Sequence, residues 1–80
     1  MDIRGAVKNI IADYTLTGID DIDFNDTFDG NELMDDMLEI ITDVEDAIGV
    51  DLIEDISYDD GYVMTINDFI KAVEAAYNNY

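Results

Sequence analysis

The sequence predicts an all-α fold, a bundle of three or four helices with a long first loop. Apolar residues recur every three or four positions in three separate segments, which is the pattern of helices that bury one face. No segment has a convincing strand pattern. With 80 residues, of which 49% are apolar, the chain predicts a single domain with one core, residues 1–80.

The first predicted helix runs from about Ile3 to Tyr14, and Asp2 is placed to cap its N-terminus. Its apolar stripe consists of Ile3, Val7, Ile10, Ile11 and Tyr14. Residues 16–31 are rich in Asp, Asn, Thr and Gly, and they predict a long loop. The apolar residues interleaved in this loop are Ile19, Ile22, Phe24 and Phe28. They indicate that the loop is held against the core.

The second predicted helix runs from about Leu33 to Ile48 and ends at Gly49. Its apolar face consists of Leu33, Met37, Ile40, Ile41, Val44 and Ile48. At about 100° per residue, the acidic residues collect on the opposite face. They are Asp35, Asp36, Glu39, Asp43 and Asp46.

The segment from Val50 to Gly61 is short and mixed, and a single helical turn is predicted near residues 54–58. Thr65 is placed to cap the last helix, and Asp68 follows three residues later in a capping-box pattern. The apolar stripe of this helix consists of Ile66, Phe69, Ile70, Val73 and Tyr77.

Charge is the most unusual feature of the composition. Twenty-one Asp and Glu residues stand against three basic residues, and the net charge at pH 7 is −18. Nucleic acids and anionic membranes are bound through basic groups, so we expect neither as a partner. An acidic surface of this kind favours basic proteins or cations as partners.

Catalytic chemistry is not indicated, and we expect that the protein is not an enzyme. The chain has no His and no Cys, so the usual bases and thiol nucleophiles are missing. Its single serine, Ser57, lies where a turn or a helix cap is predicted. The lack of cysteine fits a reducing compartment, and the first residues contain no apolar run of a signal peptide. We therefore expect a cytoplasmic protein.

One pattern in the first loop matches a calcium-binding EF-hand loop. The ligand positions of that motif fall on Asp21, Asp23, Asn25, Thr27, Asp29 and Glu32. However, Asp26 stands where the motif needs a glycine for its sharp turn, and Gly18 interrupts the helix that should precede the loop. We expect no metal site, and a calcium-binding helical protein that uses Asp21 to Glu32 remains an alternative.

Five stretches of the chain are similar, in order and spacing, to segments of one known family. They are VKNII at 7–11, DTF at 26–28, EII at 39–41, EDAIGVDL at 45–52 and MTINDFIKAV at 64–73. In this order they resemble the first helix, the long first loop, the second helix with its exit, and the last helix of acyl carrier proteins. The similarity extends over nearly the whole chain.

The resemblance implies a helical bundle in which a serine at the start of the second helix holds a 4'-phosphopantetheine arm. Such proteins carry acyl chains on the arm between enzymes of fatty-acid, polyketide or related biosynthesis. Basic docking patches of acyl-transfer or synthase enzymes contact the acidic second helix. On this chain the partner-binding residues would be Asp35, Met37, Glu39, Asp43 and Asp46, and we expect a monomer.

The attachment serine of the family is missing. Counted forward from the first loop, Asp35-Asp36-Met37 takes the place of the family's D-S-M, which puts Asp36 at the attachment position. Counted backward from the end of the second helix, that position falls on Met34. We prefer Asp36, because its two neighbours then match the motif. Neither residue has a hydroxyl, so the chain is either a carrier whose serine is replaced or an arm-less paralogue that only binds partners.

Overall fold

The computed structural model describes residues 2–15, 18–52 and 56–79. Its three α-helices form a bundle, with a long loop after the first helix, as the sequence predicted. They are α1 (Ile3–Ala12), α2 (Met37–Ile48) and α3 (Ile66–Asn78). Short 3₁₀ turns lie at Ile19–Asp21, Met34–Asp36 and Tyr58–Tyr62. In the described part of the chain, β pairing is limited to an isolated bridge between Thr27 and Thr65.

Capping side chains set the starts of α1 and α3 as predicted. The Asp2 carboxylate accepts a hydrogen bond of 3.0 Å from the backbone N–H of Gly5. The Thr65 hydroxyl accepts one of 3.1 Å from the backbone N–H of Asp68. Both contacts satisfy N–H groups that the start of a helix otherwise leaves unpaired. At its other end, α1 stops at Ala12, slightly earlier than predicted.

The second helix begins at Met37, later than the predicted start at Leu33, because the intervening residues form a 3₁₀ turn. Its buried residues are Met37, Ile40, Ile41, Val44 and Ile48, as the periodicity predicted. The helix ends at Gly49, whose φ of 72° lies in the left-handed region. A glycine adopts this conformation without the steric cost that other residues incur.

The first loop is part of the core. Phe28 is fully buried, and its ring contacts the ring of Phe69 on α3 edge-to-face, with centroids 5.0 Å apart. Next to this contact, the backbone N–H of Ile66 donates to the carbonyl of Asp26 at 3.0 Å. The loop is therefore held against α3 by both apolar packing and a backbone hydrogen bond, which confirms the prediction from its apolar residues.

The connection between α2 and α3 contains the 3₁₀ turn Tyr58–Tyr62. The turn predicted near residues 54–58 falls partly on residues 53–55, which lie outside the described residues. Ser57 precedes the observed turn, and its backbone N–H donates to the Asp60 carboxylate at 2.9 Å. These two residues form a capping box. The prediction that Ser57 lies in a turn or at a cap is confirmed.

Candidate functional site

The start of α2 shows which of the two candidate attachment positions faces solvent. Asp36 is the N-cap residue of α2 and is partly exposed. Met34 is only 7% exposed, and its sulfur lies so close to Gly61 that a Cβ added there would stand 2.4 Å from it. Position 36 is therefore accessible from solvent, whereas the side chain at position 34 points into the core.

The acidic face of α2 consists of exposed carboxylates. Asp35, Glu39, Asp43 and Asp46 are all exposed, and Asp36 is partly exposed. From Asp36 to Asp46 this face extends about 15 Å along the helix. No Lys or Arg occurs in α2, so the helix itself contains no cation that could neutralise these charges. The arrangement is a line of negative charge that begins at Asp36.

Met37 was predicted among the partner-binding residues, and its position does not suit that role. Its side chain has no exposed surface and lies in the core. The helical period explains this, since Met37 shares the face of Ile40 and Ile41. The neighbouring Leu38 is 61% exposed and lies on the acidic side of α2. Sequence reasoning missed Leu38, although an apolar residue outside the apolar stripe was the available signal.

Tyr14 joins the end of α1 to the acidic face. Its hydroxyl donates a hydrogen bond to the carboxylate of Asp43. This bond is the main cause that raises the pKa of Tyr14 to about 12, with smaller effects of burial and of the negative charges of Asp43, Glu39 and Asp36. The apolar stripe of the first helix predicted Tyr14 as a core residue. The structure shows in addition that its hydroxyl contacts the exposed face of α2 at Asp43.

Two clefts flank the Tyr14 side chain. The larger has a volume of about 370 Å³ and lies between the end of α1 and the first loop. It is lined by Tyr14, Thr15, Asp21, Ile22, Asn31, Glu32 and Leu33. The smaller has a volume of about 230 Å³ and lies along the exposed side of α2. It is lined by Tyr14, Leu38, Glu39, Thr42 and Asp43.

The hydrogen bond between the Tyr14 hydroxyl and Asp43 should make the stability of the fold depend on pH. Because its pKa in the folded protein is about 12, above the ordinary value of 10.0, the Asp43 bond stabilises the fold fully below pH 10. That contribution is lost as the pH rises through 12. We expect Tyr14→Phe to be less stable than the parent at neutral pH, and the difference in thermal midpoint to disappear at alkaline pH.

The matched control for this prediction is Tyr77→Phe, which removes the hydroxyl of a partly buried tyrosine on α3. Thermal midpoints of the three proteins are measured from neutral to alkaline pH, together with the spectrophotometric titration of tyrosinate. Only Tyr14→Phe should remove the titration step with the highest pKa. If Tyr14→Phe loses a phenol of ordinary pKa and the step with the highest pKa remains, the Asp43 hydrogen bond is contradicted.

The six residues of the calcium-like pattern are all within the described part of the chain. Among the described residues, no group of three or more acidic side chains is arranged to hold a metal ion. Instead, the Asp23 carboxylate accepts the backbone N–H of Asn25 at 3.0 Å, and the Asn31 amide donates to the carbonyl of Asp23 at 2.9 Å. Asp23 and Asn31 thereby tie one end of the loop to the other.

No protein-family model, curated protein or solved structure matches the chain. The resemblance to acyl carrier proteins therefore rests on the sequence stretches and on their order alone. None of the described helices is long and apolar enough to cross a membrane.

Proposed function

We propose that this protein is an acyl-carrier-like protein that docks on basic patches of acyl-transfer or synthase enzymes. In this proposal Asp36 occupies the position at which a carrier of fatty-acid, polyketide or related biosynthesis holds its 4'-phosphopantetheine arm. The observation that supports it best is the line of exposed carboxylates on α2 that begins at the accessible Asp36. A cytoplasmic location and the lack of catalytic activity belong to the same proposal.

The electrostatics of α2 suit a docking surface more than a tight binding site. A single exposed ion pair contributes about 0–1 kcal/mol, so one contact does not hold a partner. Several carboxylates on one face instead attract a basic patch, speed its approach and set its orientation. The docking proposed here should therefore be fast, of modest affinity and weakened by salt.

The carrier proposal is tested by restoring the hydroxyl at position 36. We expect Asp36→Ser to gain one arm when it is incubated with coenzyme A and a phosphopantetheinyl transferase of broad specificity. The parent chain should gain none, because a carboxylate cannot take the place of the serine hydroxyl as phosphate acceptor. The measurement is the intact mass of each protein, which increases by one arm on modification.

Met34→Ser is the matched control, since position 34 is buried where position 36 is partly exposed. Modification of Asp36→Ser alone supports the carrier proposal and the assignment of Asp36. Modification of Met34→Ser alone would place the serine at the other position. If neither variant is modified, the carrier proposal is wrong.

The second candidate is an arm-less paralogue that binds the same kind of partner through α2. The observation that favours it is Asp36 itself, because a carboxylate there continues the acidic line of Glu39 and Asp43. In that case Asp36→Ser removes one contact with the partner and creates no attachment site. Failure of arm transfer, together with binding to basic partners, would make this the leading function.

A further inference from the structure

We propose that the peptide bond between Asp29 and Gly30 rearranges to an isoaspartyl bond in the folded protein, while the fold protects the pair Asp60-Gly61. This inference does not rest on the proposed docking function. An aspartate that precedes a glycine is prone to this reaction, because glycine has no Cβ to hinder attack by its own backbone nitrogen. The chain contains these two pairs of that kind, so each serves as the reference for the other.

The rearrangement needs no reactant besides water. The backbone nitrogen of Gly30 bonds to Cγ of the protonated Asp29 carboxyl, and the N–H proton and the carboxyl hydroxyl leave as water. A second water then opens the resulting succinimide ring. Attack at Cγ restores aspartate. Attack at the backbone carbonyl breaks its bond to nitrogen, so that the chain continues through Cβ and Cγ and the α-carboxyl becomes free. The product is an isomer of the parent.

The first pair is accessible and its carboxylate can move. Asp29 and Gly30 are both exposed. In the described part of the chain, no hydrogen bond holds the Asp29 carboxylate, so it can turn toward the next nitrogen. The N–H of Gly30 donates to the Thr27 hydroxyl at 2.8 Å, but this contact lies at the surface, where water can replace the hydroxyl. The hydrogen bond therefore slows the attack without preventing it.

The second pair is held by the turn that contains it. The Asp60 carboxylate accepts the backbone N–H of Ser57 at 2.9 Å in the capping box. Gly61 is buried, and a Cβ added to it would stand 2.4 Å from the sulfur of Met34. Its carbonyl also accepts the N–H of Asp29 at 3.0 Å. The ring can form at Asp60 only after this turn opens, which the fold makes rare.

The rearrangement should loosen the segment that leads into α2. The Asp29 carbonyl accepts the N–H of Glu32 at 3.1 Å, and this acceptor is lost when the α-carboxyl becomes free. The additional backbone carbon also lies within the segment closed by the 2.8 Å hydrogen bond from the Leu33 N–H to the Phe28 carbonyl. Because Phe28 and Leu33 are both buried, a longer backbone between them disturbs the core beside the start of α2.

The test is incubation of the folded parent in water enriched in oxygen-18, at mildly acidic pH. Each ring opening places one heavy oxygen in the protein, whichever carbonyl is attacked. Peptide mass spectrometry after digestion in ordinary water assigns the label to one Asp-Gly pair or the other, and chromatography separates isoaspartyl from aspartyl peptides. The same incubation in urea gives the rates without the fold. Asp29→Glu is the matched variant, because it keeps the charge but requires a larger ring that forms slowly. Circular dichroism establishes that this variant is folded.

We expect the peptide with Asp29 to gain label at least about tenfold faster than the peptide with Asp60 in the folded parent. Urea should bring the two rates together. Asp29→Glu should abolish the label in the first peptide and leave the second unchanged. Equal rates in the folded parent, or no label at Asp29, would overturn the proposal. Label that persists in the first peptide of Asp29→Glu would overturn it too, because another residue would then be the source. A difference that persists in urea would overturn the protection of Asp60 by the fold.

Discussion

Phe69→Ala is expected to lower the free energy of unfolding by about 3–5 kcal/mol, the range observed when a buried phenylalanine is truncated. The Phe69 side chain is fully buried, and its ring contacts Phe28 with centroids 5.0 Å apart. A domain of this length has a total stability of roughly 4–12 kcal/mol, so the variant should lose a large fraction of its stability. Urea denaturation followed by circular dichroism measures the loss.

Val63→Ala is the control for this prediction, because its side chain is 80% exposed and should change stability by no more than about 0.5 kcal/mol. Phe28→Ala should cost a similar amount to Phe69→Ala, and the double variant less than the sum, since both rings share one contact. A loss below about 1 kcal/mol for either ring would contradict the packing of the first loop against α3. Phe28 belongs to the loop that leads into α2. The two variants therefore also test whether this packing holds the start of α2 in place.

Between about 0.01 M and 0.1 M sodium chloride, salt is expected to raise the thermal midpoint of this protein by roughly 4–8 °C for each 1 kcal/mol of self-repulsion that it screens. The net charge is −18, and the molecule measures 32 × 24 × 19 Å, so its carboxylates lie close together. The screening length falls from about 30 Å to about 10 Å over this range. At the lower salt concentration charges interact across the whole molecule, and at the higher one mainly with near neighbours. Differential scanning calorimetry measures the midpoint.

The double variant Glu39→Gln with Asp46→Asn removes two exposed charges from α2 and should depend less steeply on salt than the parent. Magnesium chloride at matched ionic strength distinguishes general screening from the association of divalent ions with the acidic face. A midpoint that stays constant from low salt to added magnesium would show that self-repulsion does not limit stability. The same salt should weaken docking to a basic partner, so that stability and affinity change in opposite directions.

Local patterns in the sequence were sufficient to predict the three helices, their buried faces and two of their caps. The apolar stripe of α2 predicted the burial of Ile40, Ile41 and Val44, because a helix places every third or fourth residue on one face. Gly49 marked the end of this helix for an equally local reason, since glycine adopts the left-handed conformation readily. The composition of the first loop, with apolar residues between polar ones, predicted that it packs on the core.

The tertiary structure decided which side chains belong to the surface at the start of α2. The family motif grouped Met37 with the docking residues, whereas the periodicity of α2 placed it on the apolar face; the structure buries Met37 and exposes Leu38. The hydrogen bond between Tyr14 and Asp43 joins residues from separate helices. It depends on how α1 lies against α2, which the periodicity within one helix does not specify. For the same reason, packing against Gly61 was needed to show that position 34 is buried while position 36 is accessible.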